Sequence, residues 1–267
     1  MSKMKPIKTF RDLLAFLTII PLGTTDDFVV TSAEALFLFP VIGGFIGLLG
    51  AGYFLGCSFL MSYILVFVGS FVQVPVDFLL RFLPAVMTLA FLLVLTGLQH
   101  FDGLVDLGNA IGLRNLKDRR EAAHAWTVSH KGAFLAIFIE FLAVAGLFFV
   151  DANFAVVAVI LGEVAAKLGM VTVVWLGKPT HTGLGSIFLG MAKNNRNVVA
   201  YFLAGLIAYL LLGLLGVGVV LLSVLVGAVM ERVAQSVFGG VSGDAIGATN
   251  ETARAVTLVV LAGVLLL

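Results

Sequence analysis

Apolar residues run along this chain in unbroken blocks, divided by short polar stretches. Several blocks reach the roughly 18–20 residues that a helix needs to cross a bilayer. They do not alternate with polar residues, as the strands of a membrane barrel do. The pattern therefore predicts an all-α, polytopic integral membrane bundle. Residues 35–71 predict one long, broken span. Pro40, Gly43, Gly44, Gly47 and Gly50 mark a bent or closely packed opening turn in it. An interfacial stretch, 72–83, precedes a second span over 84–99. A third span, 132–150, turns at 151–153 into a fourth, 154–176. Residues 198–238 have the length of two spans, with the turn among the glycines of 213–218. A final block, 252–267, completes about seven crossings in a single domain, residues 1–267.

Composition agrees with that pattern. Hydrophobic residues make up 61% of the 267 residues and charged residues 12%, and the mean hydropathy is +1.14. A soluble domain of this length carries about twice that charge. The net charge of +1 points to no nucleic-acid partner. A single cysteine, Cys57, rules out a disulfide framework within the chain. The start, MSKMKPIKTFRDLLAFLTIIPLG, is basic and then apolar, but lacks a small-x-small cleavage site. Residues 1–23 thus predict an amphipathic segment at the membrane surface, with 8–20 as its core. Lys3, Lys5, Lys8 and Arg11 would anchor it on the cytoplasmic side.

Charge then orients the spans. With the N-terminus inside, the polar segments 100–131, 177–197 and 239–251 all fall on the cytoplasmic face. The first two carry eight Lys and Arg residues, whereas the opposite-side segments carry only Arg81. The same face gathers the unusual polar motifs.

The first motif is QHFDGLVDLGNA, 99–110. Asp102 and Asp106 stand four apart, which puts both carboxylates on one helix face, about 6 Å apart. Two such acids repel each other and favour a cation between them. Oxygen ligands suit Mg²⁺, which takes one or two carboxylates and leaves positions for substrate phosphates. Asn109, one turn on, can add a carbonyl oxygen. The second motif is GGVSGDAIGATNE, 239–251. Gly240, Ser242 and Gly243 form a turn beside a predicted helix start, a natural phosphate site. Asp244 fits there as a cap or a further metal ligand. The 177–197 loop joins Gly185 to His181, Lys193 and Arg196, which suits phosphate or simple membrane anchoring. Glu163 and Lys167 lie inside the fourth span, where ionisable groups are costly, and can form a structural pair. Glu140, and Glu231 with Arg232, are similar. P-loop, GxSxG, HExxH and CxxC patterns are absent from the sequence, and the four histidines have no zinc spacing.

Taken together, these motifs resemble the cobalamin synthase family, the adenosylcobinamide-GDP ribazoletransferases. The family's first motif is similar to H-x-D-G-L-x-D-x-x-D-G and its second to G-G-x-T-G-D-x-x-G-A-x-x-E. FLTIIPLG (16–23), FPVIG (39–43), SHKGAF (129–134) and GLGSIF (183–188) also follow the family's order. The resemblance covers nearly the whole chain and implies a membrane-bound transferase. It would join α-ribazole, or its 5′-phosphate, to adenosylcobinamide-GDP, releasing GMP with Mg²⁺ required. It implies that Asp102, Asp106, Asp244 and Glu251 hold the metal, with His100 or one of the acids as base. Asn109, His130, Lys131, Gly185, Lys193, Arg196, Gly240, Ser242 and Gly243 would contact substrate. The chain departs from the family at Asn109 and Ala110, where the first motif has Asp-Gly. It departs again at 128–132, where Val-Ser-His-Lys-Gly replaces Asp-Ser-Arg-x-Gly. Ser242 stands for Thr and keeps the hydroxyl.

Three rival readings remain at this stage. A CDP-alcohol phosphatidyltransferase shows Asp-Gly-x-x-Ala-Arg, where this chain has Val105-Asp106. A prenyltransferase needs a second acid cluster, and 177–197 contains none. A small-solute transporter places ionisable groups near the midplane of related halves, whereas these acids gather at one face without an internal repeat.

Overall fold

The computed structural model describes residues 6–23, 26–123, 125 and 127–265, and most of them are helical. Among the described residues the only sheet-like pairing is an isolated parallel bridge between Pro179 and Val241. Lys3 and Lys5, expected as anchors, lie outside the described residues, as do the last two positions of the final span.

Amphipathic α1 (Pro6–Leu17) buries Leu13, Leu14 and Leu17 and leaves Ile7 exposed. Lys8 pairs with Asp27 at 3.2 Å, just before α2 (Phe28–Glu34). The first apolar block forms α3 (Phe39–Gly69), a single unbroken helix and not the expected broken span. The glycines explain why it needs no bend. They let α3 lie backbone-to-backbone on α8 (Ala155–Leu176): a Cβ on Gly43 would stand 2.5 Å from the Glu163 carbonyl oxygen, and one on Gly47 2.7 Å from Ile160 Cα.

The second span also differs from expectation. α4 runs Val76–Leu95, so the stretch taken as interfacial is largely helix, and Pro84 sits inside it. α5 (Gln99–Ala110) and α6 (Leu116–Ala123) follow, converting most of the presumed 100–131 loop into helix. α7 (His130–Phe149) and α8 match the third and fourth blocks. α9 (Leu184–Ala192) occupies the middle of the 177–197 segment.

α10 (Val198–Phe238) is broken at Leu212 and Gly213, at the start of the expected turn. Gly213 takes φ of 60° there, a left-handed angle that suits glycine. The two halves fold back on each other, because both reach the same residue of α8. Tyr201 Oη lies 3.1 Å from Thr172 Oγ1, and a Cβ on Gly227 would lie 2.7 Å from Thr172 Cβ. α11 (Gly243–Leu265) closes the chain and begins nine residues before the final apolar block.

Among the described residues five helices, α3, α4, α7, α8 and α10, are long and apolar enough to cross a membrane, by length and composition. α8 is the axis of the bundle, buried along almost its whole length and packed by α3, α10 and α11. Its burial explains why it is apolar all round and shows no amphipathic stripe.

This packing makes a prediction. Gly47→Ala forces a methyl into the Ile160 backbone and should lower stability by about 1–3 kcal/mol. Gly52→Ala, with nothing within 4 Å of its Cβ, should leave thermal unfolding in detergent unchanged or slightly raised. Equal melting temperatures for the two variants would contradict the close α3–α8 contact.

Candidate active site

The chain reverses after α4 through two consecutive left-handed residues, Gly97 (φ 68°) and Leu98 (φ 61°). The segment after α1 holds this turn, since Ile19 N–H donates to the Leu95 carbonyl at 2.8 Å. α5 then lies against the start of α11. Gly103 makes that possible, because any Cβ there would strike the Asp244 carbonyl oxygen. A one-turn spacing on α5 and a glycine between thus bring Asp102 and Asp106 to Asp244. All three line one cavity of about 290 Å³, with Ala123, Thr127 and Val128 opposite. Burial, then the charges of Asp244 and Asp102, push the Asp106 carboxyl up to about 7.

Ser242 caps α11. Its Oγ accepts from Ala245 N–H at 3.2 Å and donates to Asp244 Oδ2 at 3.3 Å. The cap expected of Asp244 is therefore made by Ser242, which leaves Asp244 facing the cavity. Gly240 and Gly185 serve close packing. A Cβ on Gly240 would stand 2.7 Å from the Lys178 carbonyl, and one on Gly185 2.9 Å from Gly243 N.

A second cavity, of about 260 Å³, shares Asp102 and Asp244 with the first. Its polar side adds Gln99 and His100 from the start of α5. Its other walls are apolar, and include Phe16, Phe39 and Phe188. The His100 ring is held neutral: burial, then the charge of Lys167, lower its pKa to about 3. Its Nδ1 lies 3.7 Å from Glu251 Oε1, beyond hydrogen-bond reach. Nothing in the periodicity marked the phenylalanines as site residues, because they sit on three elements far apart in sequence.

Behind the cavities lies a buried ionic network. Lys167 Nζ donates to Glu163 Oε2 at 3.1 Å and to Asn250 Oδ1 at 2.7 Å. Arg254 reaches Glu163 at 3.2 Å and Glu140 at 3.2 Å, and also bonds Glu251. Asn250 Nδ2 donates to Glu251 Oε1 at 3.0 Å. The expected Glu163–Lys167 pair is real, but it is one part of a cluster joining α7, α8 and α11. Arg254 escaped sequence reading; its charge inside an apolar block was the available signal. Glu251, grouped with the metal-binding acids in sequence, is fully buried in this network and lines neither cavity.

Other expected contacts are placed as follows. Asn109 is buried, donates to the Thr127 carbonyl at 2.8 Å and accepts from Ser129 N–H at 2.9 Å. Its amide anchors the segment before α7, and both its polar ends are taken. His130, Lys131, Lys193 and Arg196 are exposed and line neither cavity. Lys131 Nζ approaches the Ile111 carbonyl at 3.5 Å, and Arg196 lies 5.3 Å over the Phe37 ring. Arg119 and Arg120 bond the Ser236 and Phe238 carbonyls, tying α6 to the end of α10. The three polar segments do meet at one end of the bundle.

Comparison with known proteins fixes the family. The profile described as cobalamin-5-phosphate synthase matches residues 9–262. The chain belongs to that family. It is 30% identical to an adenosylcobinamide-GDP ribazoletransferase of Methanococcoides burtonii, over 94% of this chain and 90% of the relative. Proteins of the same name from Methanocella arvoryzae and Clostridium novyi are each 30% identical. They align over 96% and 93% of this chain, and over 95% and 94% of their own lengths. No solved structure gives a significant match.

Within this family the fit of Mg²⁺ can be weighed on the residues themselves. Among the described residues no group of three or more His, Cys, Asp or Glu side chains forms a site ready to hold a metal. Three aspartates do face one cavity, and their mutual repulsion shows in Asp106. That donor set fits a hard cation bound through one or two carboxylates and completed by water and phosphate oxygens. It does not fit an all-protein cage.

A pH dependence follows. A carboxyl whose pKa is raised by folding stabilises the fold at low pH and loses that contribution as pH rises through its folded pKa. In metal-free detergent solution the melting temperature should fall between roughly pH 4 and pH 7. Asp106→Asn should flatten that part of the profile. A wild-type curve already flat there would show that folding does not raise the Asp106 carboxyl.

Proposed function

We propose that this protein is an adenosylcobinamide-GDP ribazoletransferase, working at the membrane with its site facing the cytoplasm. The observation that supports this reading is the single cavity shared by Asp102, Asp106 and Asp244. It pairs with the activity named for relatives along nearly the whole chain. The phosphatidyltransferase, prenyltransferase and transporter readings are not favoured by that family.

In the proposed reaction, a secondary ribose hydroxyl, free in both α-ribazole and its 5′-phosphate, attacks the phosphorus attached to cobinamide. A new P–O bond forms, and the bond to the GMP oxygen breaks. Asp102 and Asp106, with Asp244 across from them, would hold Mg²⁺. When bound, that ion neutralises charge on the diphosphate and on the departing GMP. The hydroxyl proton passes to one of the aspartates at the wall common to both cavities. The buried His100, a weak base, orients the nucleophile. The exposed Lys131, Lys193 and Arg196 would draw the anionic substrate to this end of the bundle. A span count of seven follows if α10 crosses twice and α11 once, with the N-terminus inside.

The direct test incubates purified protein with adenosylcobinamide-GDP, α-ribazole and Mg²⁺ and measures GMP. Asp102→Asn and Asp106→Asn should each cut turnover by at least about 100-fold, on the scale of losing one transition-state contact, while the protein still inserts. Undiminished GMP release from both variants would sink the assignment. CMP or pyrophosphate release from other donors would favour a rival.

A further inference from the structure

The two cavities differ in kind, and that difference assigns the substrates. The one beside Asp106 is bounded by acids and by Ala123, Thr127 and Val128. The other is amphipathic. Gln99, His100, Asp102 and Asp244 stand on one side of it, and three phenylalanines on the other. Phe16 and Phe188 are stacked, with ring centroids 4.8 Å apart and an interplanar angle of 29°. Phe39 meets Phe188 edge-on at 5.9 Å. These rings come from α1, α9 and the start of α3, so the cavity exists only when the N-terminal segment and the 177–197 segment close over α5 and α11.

We infer that the aromatic cavity is the seat of the nucleoside nucleophile, with its flat base against Phe16 and Phe188 and its ribose toward Asp102 and Asp244. This deepens the transferase reading above and rests on it. Size, chemistry and position support it. At about 260 Å³ the cavity falls just under the roughly 300–1,000 Å³ that hold whole drug-sized ligands. It takes a bicyclic base and excludes a corrin ring. Guanine would bring several donors and acceptors on its pairing edge, and an aromatic wall leaves them unpaired at a cost of about 1–3 kcal/mol each. A benzimidazole carries a mostly apolar bicycle that an aromatic wall can stack. The shared wall of Asp102 and Asp244 then puts the ribose hydroxyl beside the cavity where the diphosphate would bind. Attack and departure would then lie in line through a phosphorus held beside one row of acids.

The test uses the full chain in detergent with α-ribazole and adenosylcobinamide-GDP varied separately. Phe16→Ala, at a half-buried position, should raise KM for α-ribazole about tenfold, on the scale of one lost base–aromatic stack. KM for adenosylcobinamide-GDP should stay within about twofold. Phe188→Leu, which keeps the bulk of a buried side chain, should act in the same direction. A rise confined to the GDP substrate would overturn the inference and give the cavity to guanine. No change in either KM would show that the cavity holds no substrate. Equilibrium binding of α-ribazole, measured by calorimetry without the second substrate, separates this from the assignment of activity. Weakened binding in Phe16→Ala supports the inference even without turnover. Equal binding overturns it even if GMP is released.

Discussion

One guanidinium holds this molecule's working end together. Arg254 is buried among Glu140, Glu163 and Glu251, on three different helices counting its own. Lys167 joins from α8 and Asn250 from α11. Ionisable groups in an apolar bundle are costly unless they pair, and removing one member of such a cluster typically costs about 3–5 kcal/mol. The network therefore acts less as a source of net stability than as a lock on geometry. It admits only one arrangement of α7, α8 and α11. α5 packs on α7 and α11, so its aspartates inherit that arrangement.

The site works by the opposite device. The network matches charge with charge, whereas Asp102, Asp106 and Asp244 are set together in a cavity with no basic side chain among its described lining residues. Burial, together with their repulsion, raises Asp106. In the proposed reaction a cation arriving with the phosphate oxygens would relieve that repulsion. Charges satisfied beneath the site make the scaffold rigid; charges left unsatisfied within it make the site responsive. Glu251 marks the border. Its place in the second motif groups it with the active acids, and its burial gives it to the scaffold.

Helix packing supplies the remaining precision. Glycines let α3 lie on α8, and α5 on α11, at backbone contact. The second contact matters most for chemistry. One carbon atom at Gly103 would push α5 away from Asp244 and open the row of acids. The same logic decides between the two readings of the glycines in 35–71, which mark close packing on α8 and not a bend. In an apolar block a small residue can mark a bend or a close neighbour, and the local sequence is the same in both cases.

Much was legible from the chain alone. Block length separates membrane helices from soluble ones, because a helix must stay apolar across the full thickness of the hydrocarbon layer. The four-residue spacing of Asp102 and Asp106 places them together by helix geometry alone. The two motifs also carry the family likeness. Tertiary structure decided what depends on partners distant in sequence. Asp244 joins the α5 pair only because two helices meet at Gly103. Asn109 turns from a presumed ligand into an anchor because Thr127 and Ser129 satisfy its amide. Arg254 becomes a hub only when α7 and α8 bring their acids to it. The aromatic cavity assembles from Phe16, Phe39 and Phe188. Periodicity reports which face of a helix is apolar, but only packing decides what that face touches.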